Sequence, residues 1–431
     1  MTHTELGKAD AHRSRKRYVD RHLSDVLYST ARAFAVVLVT GARQAGKSTL
    51  LRHSLNDMKG FDLDDSGIFD ALRSAPVDFF KYNAPPLILD EVQKAPHIFE
   101  HMKSLVDAVG KKGMYFLTGS DQFALMEKAS ESLSGRVGIL VLQGLSLREK
   151  VGCADTAPFV PTDAYLDTAR TRRASEKEVF GTADVWNEIH RGDKPELFAE
   201  RTIPWDVYYG SYVTTYLERD VRRIVNISDL GRFQQFMRIV ASRTATTLNY
   251  ASLAHDLGVS EPTAKKWLNV LEATNIIYLL RPYYSNLGKR ETKAPKIHFL
   301  DTGLAAYLTR WTSPDTLRCG ALSGNFFESF VIGEVLKSFQ NFGVSAPPLY
   351  FYRDRDGNEI DLIIESDGVL YPVEIKQSST PNIGTAQAFK VLERALLRQK
   401  AVELGKGCVV CMADRLLPLD THTLLVPYWC L

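Results

Sequence analysis

The stretch Gly41-Ala-Arg-Gln-Ala-Gly46-Lys47-Ser48 decides the reading of this chain. It follows the apolar run Ala33-Phe-Ala-Val-Val-Leu-Val-Thr40, which reads as a buried parallel strand, and it leads into a helical segment from Lys47 to Leu55. Two glycines at this spacing let the backbone curl until its N–H groups face an anion. The helix behind them adds the partial positive charge of its N-terminus. In the pattern G-x-x-x-x-G-K-[ST], the lysine reaches the β- and γ-phosphates of a nucleotide and the hydroxyl binds Mg2+. The candidate nucleotide-binding residues are therefore Gly41, Ala42, Arg43, Gln44, Ala45, Gly46, Lys47, Ser48 and Thr49.

A second element supports the first. Pro86-Leu-Ile-Leu-Asp90-Glu91 is an apolar strand ending in two carboxylates. Asp90 suits the shell of a Mg2+ ion shared with Ser48, and Glu91 suits the orientation or deprotonation of an attacking water. Strand Met114 to Thr118 runs into Gly119-Ser120, which puts the Ser120 hydroxyl at a strand end on the same sheet edge. Arg136 and Arg219 are candidates for stabilising phosphoryl charge, in cis or across a subunit boundary, with surface salt bridging as the alternative for each. Apolar runs alternate with helical stretches from residue 15 to 150, the pattern of βα units on a parallel sheet.

The chain as a whole is expected to hold more than one compact core. Its 431 residues suit several domains, and 45% apolar and 24% charged residues are ordinary globular values. Lys and Arg total 53 against 51 Asp and Glu, so bulk charge argues for no polyanion partner and any DNA contact must be local. Five cysteines, at 153, 319, 408, 411 and 430, are odd in number and sparse, which suits a reducing compartment and a cytoplasmic location. The charged leader has no apolar core, and no run approaches the ~20 residues of a membrane helix, so no membrane is expected.

Residues 151–245 read as a connector and helical region, with a polar stretch of low core content from Cys153 to Thr182. Residues 246–310 read as a winged helix-turn-helix: Tyr250 to Leu257, a Gly258-Val-Ser turn, and a second helix with Pro262 in its first turn. Strands Ile276 to Leu280 and Lys296 to Leu300 would form the wing. Thr263, Lys265, Lys266, Lys289 and Arg290 are the residues there that could face DNA, the alternative being a module packed between domains. Residues 320–431 read as a mixed α/β domain with a helix from Phe326 to Phe339 and strands at Leu349 to Tyr352, Glu359 to Glu365 and Val369 to Lys376. Cys408-Val-Val-Cys411 lies in an apolar strand with no second pair, so no zinc site is expected.

Seven segments, LVTGARQAGKSTL, PLILDEVQKAP, FLTGSDQFALMEKASESLSGRVGIL, SYVTTYLERDVR, HFLDTGLAAYL, NFFESFVIGEV and EIDLIIESDGVLYPVEIK, together resemble an AAA+ ATPase family in which the ATPase core is joined to a C-terminal domain of unknown function, DUF4143. The resemblance spans nearly the whole chain and is weakest over 153–182. It implies a bacterial or archaeal AAA-type ATPase whose substrate is generally unassigned.

Asp367-Gly368 is a two-residue hairpin signal between Glu359-Ile-Asp-Leu-Ile-Ile-Glu365 and the strand that ends Glu374-Ile-Lys376. That turn places Asp361 directly opposite Glu374, ~5 Å apart on one face, and Glu359 opposite Lys376. Carboxylates so placed beside a lysine repel unless a cation joins them, and Mg2+ or Mn2+ is the usual one. The arrangement resembles the PD-(D/E)xK nuclease fold. That resemblance implies a metal held by Asp361 and Glu374, a lysine (Lys376) that positions water or offsets phosphate charge, and a helical glutamate at Glu328. The alternatives are a charge ladder from Glu359 to Lys376 without metal, or a nuclease-like domain that only binds.

The expectation is thus an α/β chain: a P-loop AAA-type core with a parallel sheet, a helical and winged-helix region, and a C-terminal α/β nuclease-like domain. The cofactors are ATP and Mg2+. Candidate partners are DNA, a protein and further copies of the chain. Two functions follow, an ATP-dependent enzyme acting on DNA and a nucleotide switch that binds a partner without cutting it.

Overall fold

Strand β1 (Val36–Thr40) is buried along its whole length, as its unbroken apolar sequence requires. Val36 and Leu38 face one core, and Val37 and Val39 face another. The chain here is a computed structural model that describes residues 18–119, 122–175, 181–217, 221, 230–284, 287–396 and 402–431. With β2 (Lys59–Asp62), β3 (Leu87–Asp90), β4 (Tyr115–Thr118) and β5 (Val137–Val141), β1 forms a five-stranded sheet in the order β2-β3-β4-β1-β5. Every pairing in it is parallel. Helices Leu23–Ala33 and Lys47–Ser54 cover one face through Leu23, Leu27, Leu50 and Leu51. Helix Ile98–Val109 covers the other through Ile98, Phe99 and Met102. Because β1 sits between β4 and β5, the strand order reverses beside it, and the loop after β1 opens into the crevice where such sheets bind ligands.

In the remainder of the chain a large core runs from Leu147 to Leu431, with two smaller clusters around Ile360 and Val409 beside it. The stretch expected to be a polar connector contributes to it. Phe159, Tyr165, Leu166 and Ala169 are buried, because helix Asp163–Ser175 is polar on average yet gathers its few apolar side chains on one face. The C-terminal residues are tied to this region: the Tyr165 hydroxyl donates to Cys430 O at 2.7 Å and Arg148 Nε to Leu431 O at 2.7 Å.

The helix-turn-helix forms as Tyr250–Leu257 and Glu261–Ala273. Gly258 takes the left-handed turn conformation (φ 67°), and the Ser260 hydroxyl caps the second helix by accepting from Thr263 N. Strand β6 (Thr246–Thr247) and the wing strands β7 (Ile277–Pro282) and β8 (Lys296–Phe299) are antiparallel. The wing does not stand alone, for β7 also pairs in parallel with β9 (Leu349–Arg353). It thereby joins β10 (Glu359–Ser366), β11 (Val369–Lys376), β12 (Glu403–Leu404), β13 (Gly407–Cys411), β14 (Leu417–Pro418) and β15 (Thr423–Pro427) in a ten-stranded sheet. The hairpin register agrees with the sequence expectation, with Leu362 opposite Val373 and Ser366 opposite Val369. Helix Ser323–Asn341 is buried over most of its length and touches β8, β11 and β5, so it links the five-stranded sheet to the ten-stranded one.

All five cysteines are free, and Cys408 and Cys411 are buried within β13. Among the described residues, no helix is long and apolar enough to cross a membrane.

Candidate functional site

The loop from Gly41 to Ser48 turns sharply between β1 and the Lys47–Ser54 helix, and its two glycines are there for steric reasons. Gly41 has φ 138°, and an added Cβ would lie 2.0 Å from Leu142 O; Gly46 has φ 93°. The loop's carbonyls are held outward by buried cations. Lys47 Nζ donates to Gly41 O (3.0 Å) and Ala42 O (2.9 Å), Lys194 Nζ to Arg43 O (3.3 Å), and Arg21 Nη1 to Ala45 O (2.8 Å). Carbonyls turned out leave the loop's N–H side turned in, which makes an anion nest.

At the end of β3, two strands from β1, Ser48 Oγ donates to Asp90 Oδ1 at 2.8 Å, and the Thr118 hydroxyl of the intervening β4 bonds the same oxygen. The hydroxyl and carboxylate expected to share Mg2+ are therefore side by side, and a hydroxyl–carboxylate pair is the donor chemistry a hard divalent cation takes. The exposed Arg52 stands 3.6 Å from Asp90 Oδ2. Glu91 follows with φ 57°, an uncommon conformation for a residue with a side chain, and its carboxylate accepts from Gln93 Nε2. A cavity of about 380 Å3 opens beside Gly46, lined by Tyr18, Gln44, Thr49, Pro195 and Glu196, a volume in the range of small-ligand sites.

One other sequence candidate, Arg136, does not join this cluster. Arg136 precedes β5, whose first residue Val137 pairs with the first residue of β1. It therefore lies at the opposite sheet edge, about a strand length (~13 Å) from the P-loop. There it forks onto Asp107 at 2.5 and 3.0 Å, which holds that carboxyl below its usual range. Proximity to the γ-phosphate of its own chain is thus not met by Arg136. Ser120 and Arg219 lie outside the described residues.

Sequence reasoning missed the groups that reach the P-loop from residues 193–212. Lys194, fully buried, also lies 3.5 Å from Asp301 Oδ2 and 5.0 Å over the Tyr212 ring. Burial opposes its charge, but Tyr212, Asp301 and Asp193 hold its pKa well above the lysine range. The Tyr208 hydroxyl donates to Gln44 Oε1 at 2.8 Å, and the Tyr209 hydroxyl bonds Asp301, which caps helix Thr302–Leu308. Next to these, Lys337 of the Ser323–Asn341 helix pairs with Asp193 (3.0 Å) and donates to Leu145 O (3.1 Å). A lysine before a Pro-Glu pair in a polar stretch carries no pattern that flags it.

In the C-terminal half, Glu328, Asp361, Glu374 and Lys376 do come together. Lys376 Nζ lies 2.6 Å from Glu374 Oε1 and 3.5 Å from Asp361 Oδ2, and Asp361 Oδ2 also accepts from Ile375 N at 2.9 Å. Glu359 does not ladder with Lys376. It faces Lys296, whose Nζ is 2.5 Å from Glu359, 3.0 Å from Glu328 and 3.5 Å from Asp361. Burial and the Asp361 charge push Glu328 up to about 8 and Glu374 up to about 7, because two ammonium groups are shared among four carboxylates. Among the described residues, no group of three His, Cys, Asp or Glu side chains is arranged to hold a metal ion.

On the helix-turn-helix, Lys265 and Lys266 are exposed while Trp267, Leu268 and Leu271 are core. Arg290 is not available to phosphate: it is buried between the Tyr283 and Tyr350 rings, 4.5 Å from each, and paired with Glu365 at 3.1 Å.

Three domain families match along the chain: an AAA domain over residues 33–151, DUF8612, a domain of unknown function, over 182–315, and DUF4143, also of unknown function, over 323–431. Uncharacterized proteins of Mycobacterium bovis and Mycobacterium tuberculosis are each 28% identical over 394 residues, covering 91% of this chain and 80% of theirs. One from Methanocaldococcus jannaschii is 25% identical over 298 residues, covering 62% of this chain and 60% of its own. Among solved structures, a Walker-type ATPase of Pyrococcus abyssi matches 68% of this chain and 97% of its own at 17% identity, with a TM-score of 0.45.

Proposed function

We propose that this chain, which joins an AAA domain to a DUF4143 domain, binds and hydrolyses ATP with Mg2+ and uses the nucleotide state to act on a DNA or protein partner. The observation that carries the reading is the 2.8 Å hydrogen bond from Ser48 to Asp90 at the mouth of the anion nest. It joins a P-loop hydroxyl to a strand-end carboxylate 42 positions later in sequence. In this reading, residues Gly41 to Thr49 cradle the phosphates, and Lys47 leaves the Gly41 and Ala42 carbonyls for the β- and γ-phosphates. Ser48 and Asp90 hold Mg2+, which when bound neutralises charge that develops on the phosphoryl oxygens. Glu91 orients or deprotonates the water, at a strand end where strain in its backbone fixes the direction of its carboxylate. The base and ribose fit the cavity beside Gly46 and Pro195. Arg136, if it meets a γ-phosphate, meets that of a neighbouring copy of the chain.

The output runs to the C-terminal half through buried groups, Lys194 to Asp301 on one side and Asp193 to Lys337 on the other. A switch that binds its partner is the reading that needs nothing further. Cutting of DNA by Glu328, Asp361, Glu374 and Lys376 would need a divalent cation between Asp361 and Glu374.

The test is phosphate release from ATP and Mg2+, with and without DNA, while the same DNA is run on a gel. Wild type should release phosphate, and Lys47→Ala should lower the rate about 10²–10³-fold, the cost of removing one preorganised charge-stabilising donor. Equal release by the two proteins would sink the ATPase reading. Hydrolysis stimulated by DNA would favour DNA over protein as the partner.

A further inference from the structure

Lys296 opens the second wing strand, and in sequence it is one lysine among many. In the structure it leaves the wing and enters the C-terminal carboxylate cluster, with its side chain 3% exposed. Its Nζ touches carboxylates from two separate elements: Glu328 on the Ser323–Asn341 helix, and Glu359 and Asp361 on β10. A point charge 3.0 Å from the helical glutamate and 3.5 Å from Asp361 occupies one side of the aspartate expected to hold the metal, while the other expected holder, Glu374, is bonded to Lys376.

The oxygens left over do not make a second cation site. Asp361 Oδ1 faces Lys296, and Asp361 Oδ2 accepts the Ile375 N–H and faces Lys376. Glu374 Oε1 is held by Lys376 at 2.6 Å, and among the described carboxylates of this cluster Glu374 Oε2 is the oxygen that is buried without a partner. One orphan oxygen is a single ligand, fewer than the one or two whole carboxylates through which Mg2+ is usually bound, and the other oxygens of Asp361 and Glu374 are already taken by ammonium and N–H groups. Lys296 cannot step aside cheaply either, since its departure would take the ammonium 3.0 Å from Glu328 out of a cluster where, among the described residues, Glu359 keeps only the half-exposed Arg353 and Asp361 only Lys376.

We propose that Lys296 is the resident cation of this cluster: an ammonium supplied by the wing strand stands in place of the divalent metal, fastens the wing to the C-terminal sheet, and leaves the C-terminal half a module that engages its partner without metal-dependent cutting. The inference goes beyond the ATPase reading and does not depend on it. The metal in question is not the one on Ser48 and Asp90.

The test is Mn2+ binding to the full chain without nucleotide, followed by the electron paramagnetic resonance of free Mn2+, for wild type, Asp361→Asn and Lys296→Met. Supercoiled plasmid is incubated with each protein and Mn2+. The expected result is equal Mn2+ stoichiometry for wild type and Asp361→Asn, with intact plasmid in both. Lys296→Met should bind one further Mn2+ per chain, and Lys296→Met combined with Asp361→Asn should lose it. The proposal is overturned if wild type binds one Mn2+ more than Asp361→Asn, or nicks the plasmid where Asp361→Asn does not. A folded Lys296→Met protein with no gain of Mn2+ also counts against it. If Lys296→Met fails to fold, the comparison of wild type with Asp361→Asn decides alone. ATP turnover, measured separately, can fail or succeed without altering any of these outcomes.

Discussion

The P-loop and the C-terminal carboxylate cluster place their cations differently around the carboxylates expected to hold a metal. At the P-loop, the buried cations Lys47, Lys194 and Arg21 are bonded to backbone carbonyls of the loop, and Asp90 meets hydroxyls. Arg52 stands 3.6 Å from Asp90 with a side chain 61% exposed, so water can replace it there. In the C-terminal cluster, the buried cation Lys296 and its neighbour Lys376 are bonded to the carboxylates themselves. The difference lies in where the positive charge is attached. Charge fixed on carbonyls shapes a cavity for an incoming anion and leaves a carboxylate for a metal. Charge fixed on carboxylates closes the site on itself.

The largest effect that would sharpen this contrast is on hydrolysis. Glu91→Gln should lower the phosphate-release rate about 10²–10⁴-fold while ATP binding survives, as removal of a general base does. A mutant that turns over at the wild-type rate would take Glu91 out of the water's path. Lys194→Met tests whether the carbonyl-bound cations shape the nest. Loss of a charged hydrogen bond to Arg43 O, worth about 1.5–3 kcal/mol, should raise KM for ATP tenfold or more, and an unchanged KM would mean that the crest of the loop stands without it. The smallest effect belongs to the self-closed cluster and appears in the pH dependence of stability. Burial, joined by the Asp361 charge, raises Glu328 to about 8 and Glu374 to about 7 in the fold, against ~4.3 in an unfolded chain. The folded state then binds more protons, so these groups take stability away as pH rises from about 4.5 towards 8. Glu328→Gln should flatten that fall in the thermal midpoint between pH 5 and 8. An equally steep fall in the mutant would show that Glu328 is ionised throughout.

Much of this was legible one residue at a time. The strand, the glycine loop and the helix carried the nucleotide site because each signal is local: an apolar run, two positions where only glycine fits, and a lysine-serine pair at a helix start. The hairpin at Asp367-Gly368 was equally local, and its register followed from a two-residue turn and the period of a strand. Arg136 shows the limit. Sequence places it in the nucleotide-binding unit, but in a parallel sheet the two ends of every strand are chemically different places, and it stands at the end away from its own P-loop.

Sequence alone determined that the chain has a P-loop, a carboxylate pair at a strand end, a helix-turn-helix and a C-terminal hairpin bearing Asp361, Glu374 and Lys376. Those features depend on short-range backbone geometry, which a few neighbouring residues dictate. Only the tertiary structure decided which cation each carboxylate meets. Lys194 reaches the P-loop across 151 positions, and Lys296 reaches Asp361 across 65. A lysine has the same pattern in sequence whether its ammonium ends in water, on a carbonyl or on a carboxylate. The choice is made by which surfaces pack, since burial makes an unpaired charge too costly to leave alone.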